Sequence, residues 1–392
     1  MKITRISSLH ADAGWRVFSY LKIETDQQGL IGWSEYNESY GNKGLSTVIE
    51  KLGPHIIGDD PLSNERIHAK LYAMTRQTAG GIMGQAIAAI ENALLDVKAK
   101  ALGVPVSTLF GGPIRERMRL YWSHCGNYRI GPAQKLIGKP PIRTLDDIAA
   151  CGREVRDQGY TALKANAYLL DGEARVHMPG FGRGAGAPEL NWDWKLLDAM
   201  AAQMQAFREG AGPDVDLLID LNYNFKTEGY LQVARHLEPY RLTWLEIDSA
   251  NPEALATIRR GSRTPIASCE SLFGARVFRP YFEHQSVDVA IIDVTWNGLA
   301  QALKIAAMAD AFEINVAPHN FYGHLSTLMS AHFCAAVPNF RIMELDVDDV
   351  PWKDELVTVP PVIDQGNLIL PKVPGWGADI DEAAVRRHPP KF

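Results

Sequence analysis

The chain has 392 residues, 46% of them hydrophobic, enough to bury a full core in one large domain with a smaller companion. Its formal net charge of −6 and its scattered Lys and Arg exclude a surface built for a phosphate backbone, so nucleic acid is not an expected partner. No stretch approaches the ~18 apolar residues of a membrane span, and residues 1–16 lack an apolar leader core. A cytoplasmic protein without membrane contact is expected.

Residues 2–10, 17–25 and 30–33 read as an antiparallel meander, with turn chemistry at Asp26 and Gly29. From Gln85 the apolar residues Ile87, Ile90, Leu94, Val97 and Ala101 recur at helical steps until Gly103 and Pro105 stop the pattern. The four cysteines, Cys125, Cys151, Cys269 and Cys334, have no CxxC spacing, which argues against a zinc cluster or a disulfide framework.

After about residue 118, short β-rich runs alternate with helical ones, the pattern of parallel βα units. The runs are 118–123, 160–164, 216–221, 242–246, 265–269, 287–293, 313–317 and 341–344, eight in number. That count fits an α/β protein of the (β/α)8 TIM-barrel type, whose active site lies at the C-terminal strand ends. A doubly wound sheet is disfavoured, because no Gly-rich GxGxxG follows the first strand. The expected division is a barrel over 118–345 and an α+β capping domain made of 1–117 with 346–392. Within the latter, 357–370 reads as a hairpin and 381–387 as a tail helix returning to the meander. The Gly-rich stretch 179–190 reads as a long loop on the active-site face.

Lys164, Asp220, Glu246, Glu270, Asp293, His319 and Glu344 each close or nearly close one run, so a barrel aims them at one mouth. Alone, any one of them reads as a strand-end salt bridge. Three carboxylates in consecutive units, Asp220, Glu246 and Glu270, form an oxygen site suited to one Mg²⁺ rather than Zn²⁺. Asp293 and His319 come from neighbouring runs, so the acid can orient the imidazole as a base. A divalent ion that stabilises an enediolate, beside a base for the proton alpha to a carboxylate, makes a coherent pair.

These residues resemble the enolase superfamily, and within it the mandelate racemase subgroup, over essentially the whole chain. The resemblance rests on the run from Ala86 through Asp96 to Lys100, on Ile219-Asp220-Leu221-Asn222, Trp244-Leu245-Glu246 and Ser268-Cys269-Glu270, and on Ala317-Pro318-His319-Asn320. Pro374-Gly375-Trp376-Gly377 is similar to the family's C-terminal motif. The resemblance implies a capped barrel, Mg²⁺ at Asp220, Glu246 and Glu270, and a His319–Asp293 dyad acting on a small carboxylate, in a homo-oligomer. Where the family often has Lys-x-Lys, this chain has Lys164-Ala165-Asn166, and Asn166 cannot accept a proton. That departure favours dehydration of a polyhydroxy acid to a 2-keto-3-deoxy acid, with His319 serving as base and then as acid. A racemase, epimerase or cycloisomerase using Lys164 and His319 is the alternative, and a catalytically silent metal-dependent binding protein is a third reading.

Lys164 is then expected at the substrate carboxylate and Glu344 at the enediolate oxygen. Asn166 and Asn222 are expected at substrate hydroxyls. His124, after the first strand, is a further candidate for the mouth, and Trp15-Arg16, residues 36–44 and the loop residues Arg175, His177 and Arg183 are candidates for reading the distal substrate.

Overall fold

The computed structural model describes residues 1–38, 43–181 and 189–391. An antiparallel meander opens the chain: β1 (Ile3–Asp12), β2 (Val17–Thr25) and β3 (Ile31–Tyr36). Helices α1 (Leu45–Leu52), α2 (Asn64–Met74) and α3 (Gly81–Leu102) cover it. Leu21 and Ile23 of β2 share one apolar cluster with Ile49, Ile67, Leu71, Ile90 and Leu94 of the helices. The helical period of α3 and the alternation of β2 are two sides of one core.

The barrel then forms from strands and helices in turn. Its first unit is β4 (Arg117–Ser123) followed by α4 (Ala133–Ile137) and α5 (Leu145–Asp157). The second is β5 (Ala162–Asn166) with a small hairpin, β6 (Tyr168–Leu169) and β7 (Arg175–Val176), before α6 (Trp194–Ala211). Next come β8 (Asp216–Asp220) with α7 (Thr227–Leu237), β9 (Trp244–Glu246) with α8 (Pro252–Gly261), and β10 (Ile266–Ser268) with α9 (Ala275–Glu283). The last three units are β11 (Val289–Ile292) with α10 (Val294–Asn297) and α11 (Leu299–Ala311), β12 (Asn315–Pro318) with α12 (His324–Ala336), and β13 (Met343–Asp346). Beyond them lie β14 (Ile363–Asp364), β15 (Asn367–Ile369) and the tail helix α13 (Glu382–Arg387).

Among the described residues eight parallel strands run in the order β12, β11, β10, β9, β8, β5, β4, β13. The seam between the last and first of that order closes through a parallel bridge from Val316 to Phe340. The expected (β/α)8-type barrel is present. Its strands are shifted by up to two residues from the sequence runs, so that Asn166 and Asp346 fall inside strands. Local chemistry starts several barrel helices. Thr144 and Asp147 form a reciprocal capping box on α5, Asp193 caps α6 and Asn251 caps α8.

The C-terminal segment divides its contacts. The β14–β15 hairpin expected over 357–370 pairs antiparallel with the lower end of β4, so it closes the barrel floor. The tail beyond it returns to the N-terminal sheet: the Asp12 N–H donates to the His388 carbonyl, and Trp376 Nε1 donates to Trp33 O at 2.9 Å. Asp96 on α3 ties this junction, accepting from Trp33 N at 2.9 Å and Trp376 N at 3.0 Å. Gly375 is required there, because it has φ 77° and an added Cβ would lie 2.3 Å from Asp96 Oδ1.

His332 in α12 is buried and accepts the Ser107 N–H at Nδ1 while Nε2–H donates to the Trp376 carbonyl. Only the neutral ring satisfies both partners, and burial lowers its pKa from 6.5 to about 4. The folded state therefore binds fewer protons than the unfolded chain between these values. Stability is complete above pH 6.5 and declines toward pH 4 by up to ~3 kcal/mol. Thermal melts across that window should show the loss, and His332→Gln should lack that step; an equal slope in both proteins would rule out this histidine as its source.

Candidate active site

The C-terminal ends of the eight strands deliver the expected residues to one buried mouth. Lys164 lies at its centre, 2% exposed, with Nζ 2.8 Å from Glu246 Oε1, 3.1 Å from Glu344 Oε1 and 3.6 Å from Asp220 Oδ2. Burial alone would lower the lysine pKa, but Glu246 and Glu344 overcome it and hold the ammonium charged. Glu344 on β13 also accepts from Ser123 Oγ and from Asn320 N at 2.7 Å. Burial would raise its pKa, yet Lys164, His319 and His124 pull it below the ordinary carboxylate value.

Glu246 and Glu270 behave in the opposite way. Burial raises Glu246 to about 8; Lys164 opposes the shift while Asp220 and Glu270 add to it. Glu270 is likewise raised by burial, with His319 opposing and Asp220 assisting. Four carboxylates thus crowd one ammonium, and the excess negative charge is what a further cation would neutralise. Asp248, two residues past Glu246, adds a fifth acid whose Oδ1 is buried without a hydrogen-bond partner.

Asp220, Glu246 and Glu270 offer carboxylate oxygens from three adjacent strands, the donor chemistry that Mg²⁺ requires. Among the described residues no three acids, histidines or cysteines already stand in the geometry of a formed metal cage. The Lys164 ammonium occupies the space between Asp220 and Glu246. The donors fit a hard divalent ion by chemistry and by charge demand.

His319 follows β12 and is held by Asp293, whose Oδ2 lies 2.6 Å from Nδ1. The other oxygen of Asp293 accepts from Trp296 N at 2.7 Å and caps α10, so the acid cannot rotate away. Tyr322 Oη donates to the same Oδ2 at 2.5 Å. Nε2 of His319 is 3.7 Å from Glu270 Oε2. Burial would lower the imidazole pKa, but Glu270 and then Asp293 raise it to about 10.

The other candidates are differently engaged. Asn166 donates to Asp220 O and Asn222 Oδ1, both at 3.0 Å, and accepts from Asn127. Its polar groups hold neighbouring strand ends together. Asn222 takes a left-handed φ of 45°, and its N–H donates to Asp220 Oδ1 at 2.9 Å, fixing that carboxylate. Arg16, expected at the substrate, is buried in a clasp, with 2.8 Å to Asp346, 2.6 Å to Asp349 and a bond to the Phe321 carbonyl. Its guanidinium joins the β1–β2 turn to the β13 end, and both terminal nitrogens are committed. Trp15 packs against Tyr128 with ring centroids 4.2 Å apart and planes tilted by 31°.

Arg175 pairs with Asp171 at 2.9 Å on the β6–β7 hairpin, and His177 is buried behind it with Nε2 unpartnered. Arg183 and residues 39–42 of the 36–44 segment lie outside the described residues. His124 stands just past β4 with Nδ1 3.3 Å from Asp346 Oδ1.

Asp248, Asp346, Tyr322 and Ser123 were not picked out from the sequence. Two of them had a signal. Asp248 and Asp346 sit two residues after Glu246 and Glu344, the spacing that returns a side chain to the same face of a strand.

Residues 12–111 match the family described as mandelate racemase / muconate lactonizing enzyme, N-terminal domain, and residues 147–384 match the one described as enolase C-terminal domain-like. The chain belongs to the mandelate racemase / muconate lactonizing enzyme family. It is an enzyme of the enolase superfamily. A D-xylonate dehydratase of Haloferax volcanii is 27% identical over 99% of this chain and 89% of its own length. A D-galactonate dehydratase of Xanthomonas euvesicatoria is also 27% identical, covering 100% of this chain and 96% of that protein. A crystal structure from Burkholderia xenovorans, named provisionally as an L-alanine-DL-glutamate epimerase, superposes with a TM-score of 0.97 at 48% identity, over 100% of this chain and 99% of that one. The same protein has been crystallised with magnesium and fumarate.

Because the Glu270 charge helps to raise His319, beside Asp293 and Glu344, Glu270→Gln should lower the imidazole pKa from its value of about 10. Nitrogen-15 NMR of the imidazole reads this directly. An unchanged value would assign the elevation to Asp293 and Glu344 without Glu270.

Proposed function

We propose that this enzyme is an Mg²⁺-dependent acid-sugar dehydratase that removes the proton alpha to a carboxylate and expels the β-hydroxyl, giving a 2-keto-3-deoxy acid. The observation that carries the reading is the state of the second-strand residues. Lys164 is enclosed by three carboxylates and Asn166 is spent on neighbouring strands, while the His319–Asp293 dyad is complete. One positioned base suits an elimination better than a two-base proton transfer. The dehydratase relatives support the same direction.

Asp220, Glu246 and Glu270 would hold one Mg²⁺, which when bound supplies positive charge where the substrate carboxylate gains negative charge. The magnesium in the Burkholderia relative supports this assignment. His319 takes the α-proton at Nε2, and Asp293 holds the ring by Nδ1 and stabilises the imidazolium that forms. Lys164 sets positive charge beside the carboxylate site, and Glu344, fixed by Ser123 and Asn320, faces the developing enediolate. The substrate is a small polyhydroxy carboxylate, with Asn222 and residues of the 179–190 loop, including Arg183, assigned to its hydroxyls. Arg16 acts on the site through Asp346. The reading keeps the barrel at 118–345 and the cap at 1–117 with 346–392, save that the β14–β15 hairpin pairs with the barrel strand β4, and it keeps a homo-oligomeric assembly.

The epimerase reading draws on the name of the 48% identical relative. It requires Lys164 to give up its three carboxylate partners and act as a second base.

Incubation with a panel of aldonic and aldaric acids and Mg²⁺ should yield a semicarbazide-reactive keto acid. Solvent deuterium entering the α-position without keto product would favour epimerisation, and no reaction with any acid would reject both. His319→Asn should reduce turnover by ~10³-fold or more while Mg²⁺ binding by calorimetry is retained. Loss of metal affinity in that variant would contradict the assignment of His319 as base alone.

A further inference from the structure

We propose that His124 is the general acid that protonates the departing β-hydroxyl, an assignment that rests on the dehydration reading and separates the acid from the base, His319.

His124 and His319 are placed alike. Each follows a strand end with Nδ1 toward a carboxylate: His319 Nδ1 is hydrogen-bonded to Asp293 Oδ2 at 2.6 Å, and His124 Nδ1 lies within ion-pair distance of Asp346 Oδ1, at 3.3 Å, without a hydrogen bond. Their strands, β12 and β4, lie on either side of β13, which carries Glu344 and Asp346. Ser123 links the second pair to the centre, because its Oγ donates to Glu344 Oε1 and lies 3.4 Å from His124 Nδ1. The Phe321 ring lies 6.0 Å from that of His124 and 5.0 Å from that of His319, so both imidazoles border one apolar wall.

The surroundings of Asp346 fix its direction. Arg16 and Tyr128 engage Oδ2 at 2.8 and 3.0 Å, and Oδ1, buried without a hydrogen bond among the described residues, faces His124 at 3.3 Å. Among the described residues no group engages His124 Nε2, and the side chain is 20% exposed where Lys164 is 2% exposed. Nε2 is therefore the nitrogen available to a ligand in the mouth. The backbone of His124 has φ 49°, a left-handed conformation uncommon outside glycine and concentrated at functional sites, where surrounding contacts hold it. Lys164 also stands at the mouth, but its three carboxylate partners leave no donor for a leaving group.

The balance closes with these two groups. His319 Nε2 takes the α-proton and the C–H electron pair enters the enediolate. As the enediolate collapses, the bond to the β-oxygen breaks and His124 Nε2 gives that oxygen its proton, releasing water. The enol then becomes the ketone: His319 returns its proton to the β-carbon, and the enol hydroxyl proton passes to His124. Both imidazoles end as they began, with no external reductant or oxidant.

The test compares His124→Asn with the wild-type enzyme, loaded with Mg²⁺, on the acid sugar that the wild type dehydrates. In D₂O the variant should keep α-hydrogen exchange within about threefold of wild type while keto-acid formation falls ~10²-fold or more. The 3-deoxy-3-fluoro analogue should release fluoride at near wild-type rate, because fluoride leaves without a proton. His124→Gln serves as a second variant should the first fail to fold. Keto-acid formation at the wild-type rate, or equal losses of exchange and dehydration in a folded variant, would overturn the assignment. A wild-type enzyme that forms no keto acid from any acid sugar would overturn the dehydration reading, and this assignment with it.

Discussion

Negative charge in excess, gathered around one buried ammonium, is the constraint on which the active-site end of this barrel depends. Lys164 can satisfy Glu246, Glu344 and a share of Asp220, and it cannot also satisfy Glu270. The acids divide accordingly. Glu344, with hydrogen bonds from Ser123 and Asn320, is held ionised, whereas Glu246 and Glu270 are pushed toward the protonated form. The His319 imidazolium absorbs part of the excess through Glu270. A divalent cation placed among Asp220, Glu246 and Glu270 would relieve the acids and release the histidine toward its neutral, basic form, so metal demand and base strength are coupled by electrostatics.

Much of this end was legible in the chain because a βα unit repeats. Asp220, Glu246 and Glu270 recur one per unit at strand ends, so period and position together marked them, as they marked Asp293, His319 and Glu344. The partners that decide what those residues can do were less legible. Arg16 could not be matched to Asp346 and Asp349, more than three hundred residues away, without coordinates. Asn166 reads as a polar group facing substrate until Asn127, Asp220 and Asn222 are seen to use its amide fully. Strand ends were displaced by one or two residues because propensity fades where a strand meets its loop, and the second polar residue of each pair, such as Asp248, fell past the expected boundary.

Cap and barrel are joined by polar bonds at depth as well as by apolar packing. Glu35 of β3 accepts from Gly323 N at 2.6 Å and Ser326 N at 2.9 Å, so a cap residue supplies the N-terminal cap of a barrel helix. The helix it caps begins four residues after Asn320, whose N–H holds Glu344. Arg16 reaches the opposite side of the same loop through Phe321 and Asp346. The seventh and eighth strand ends are thus braced from the cap at two points, which restricts the residues bearing His319 and Glu344 to one arrangement.

The Asp96 junction bears on how the chain is made. Its carboxylate takes one N–H from Trp33 and one from Trp376, so the bond set on the β3 edge of the N-terminal sheet is completed by a residue far along the chain. On the ribosome the meander and α3 precede the barrel, yet Asp96, already able to meet Trp33 and Lys100, lacks the Trp376 N–H, and the Trp376 site stays open, until nearly all of the barrel has been synthesised. Since domains otherwise tend to fold as they emerge, this arrangement leaves the earliest-made apolar surface waiting longest for its cover.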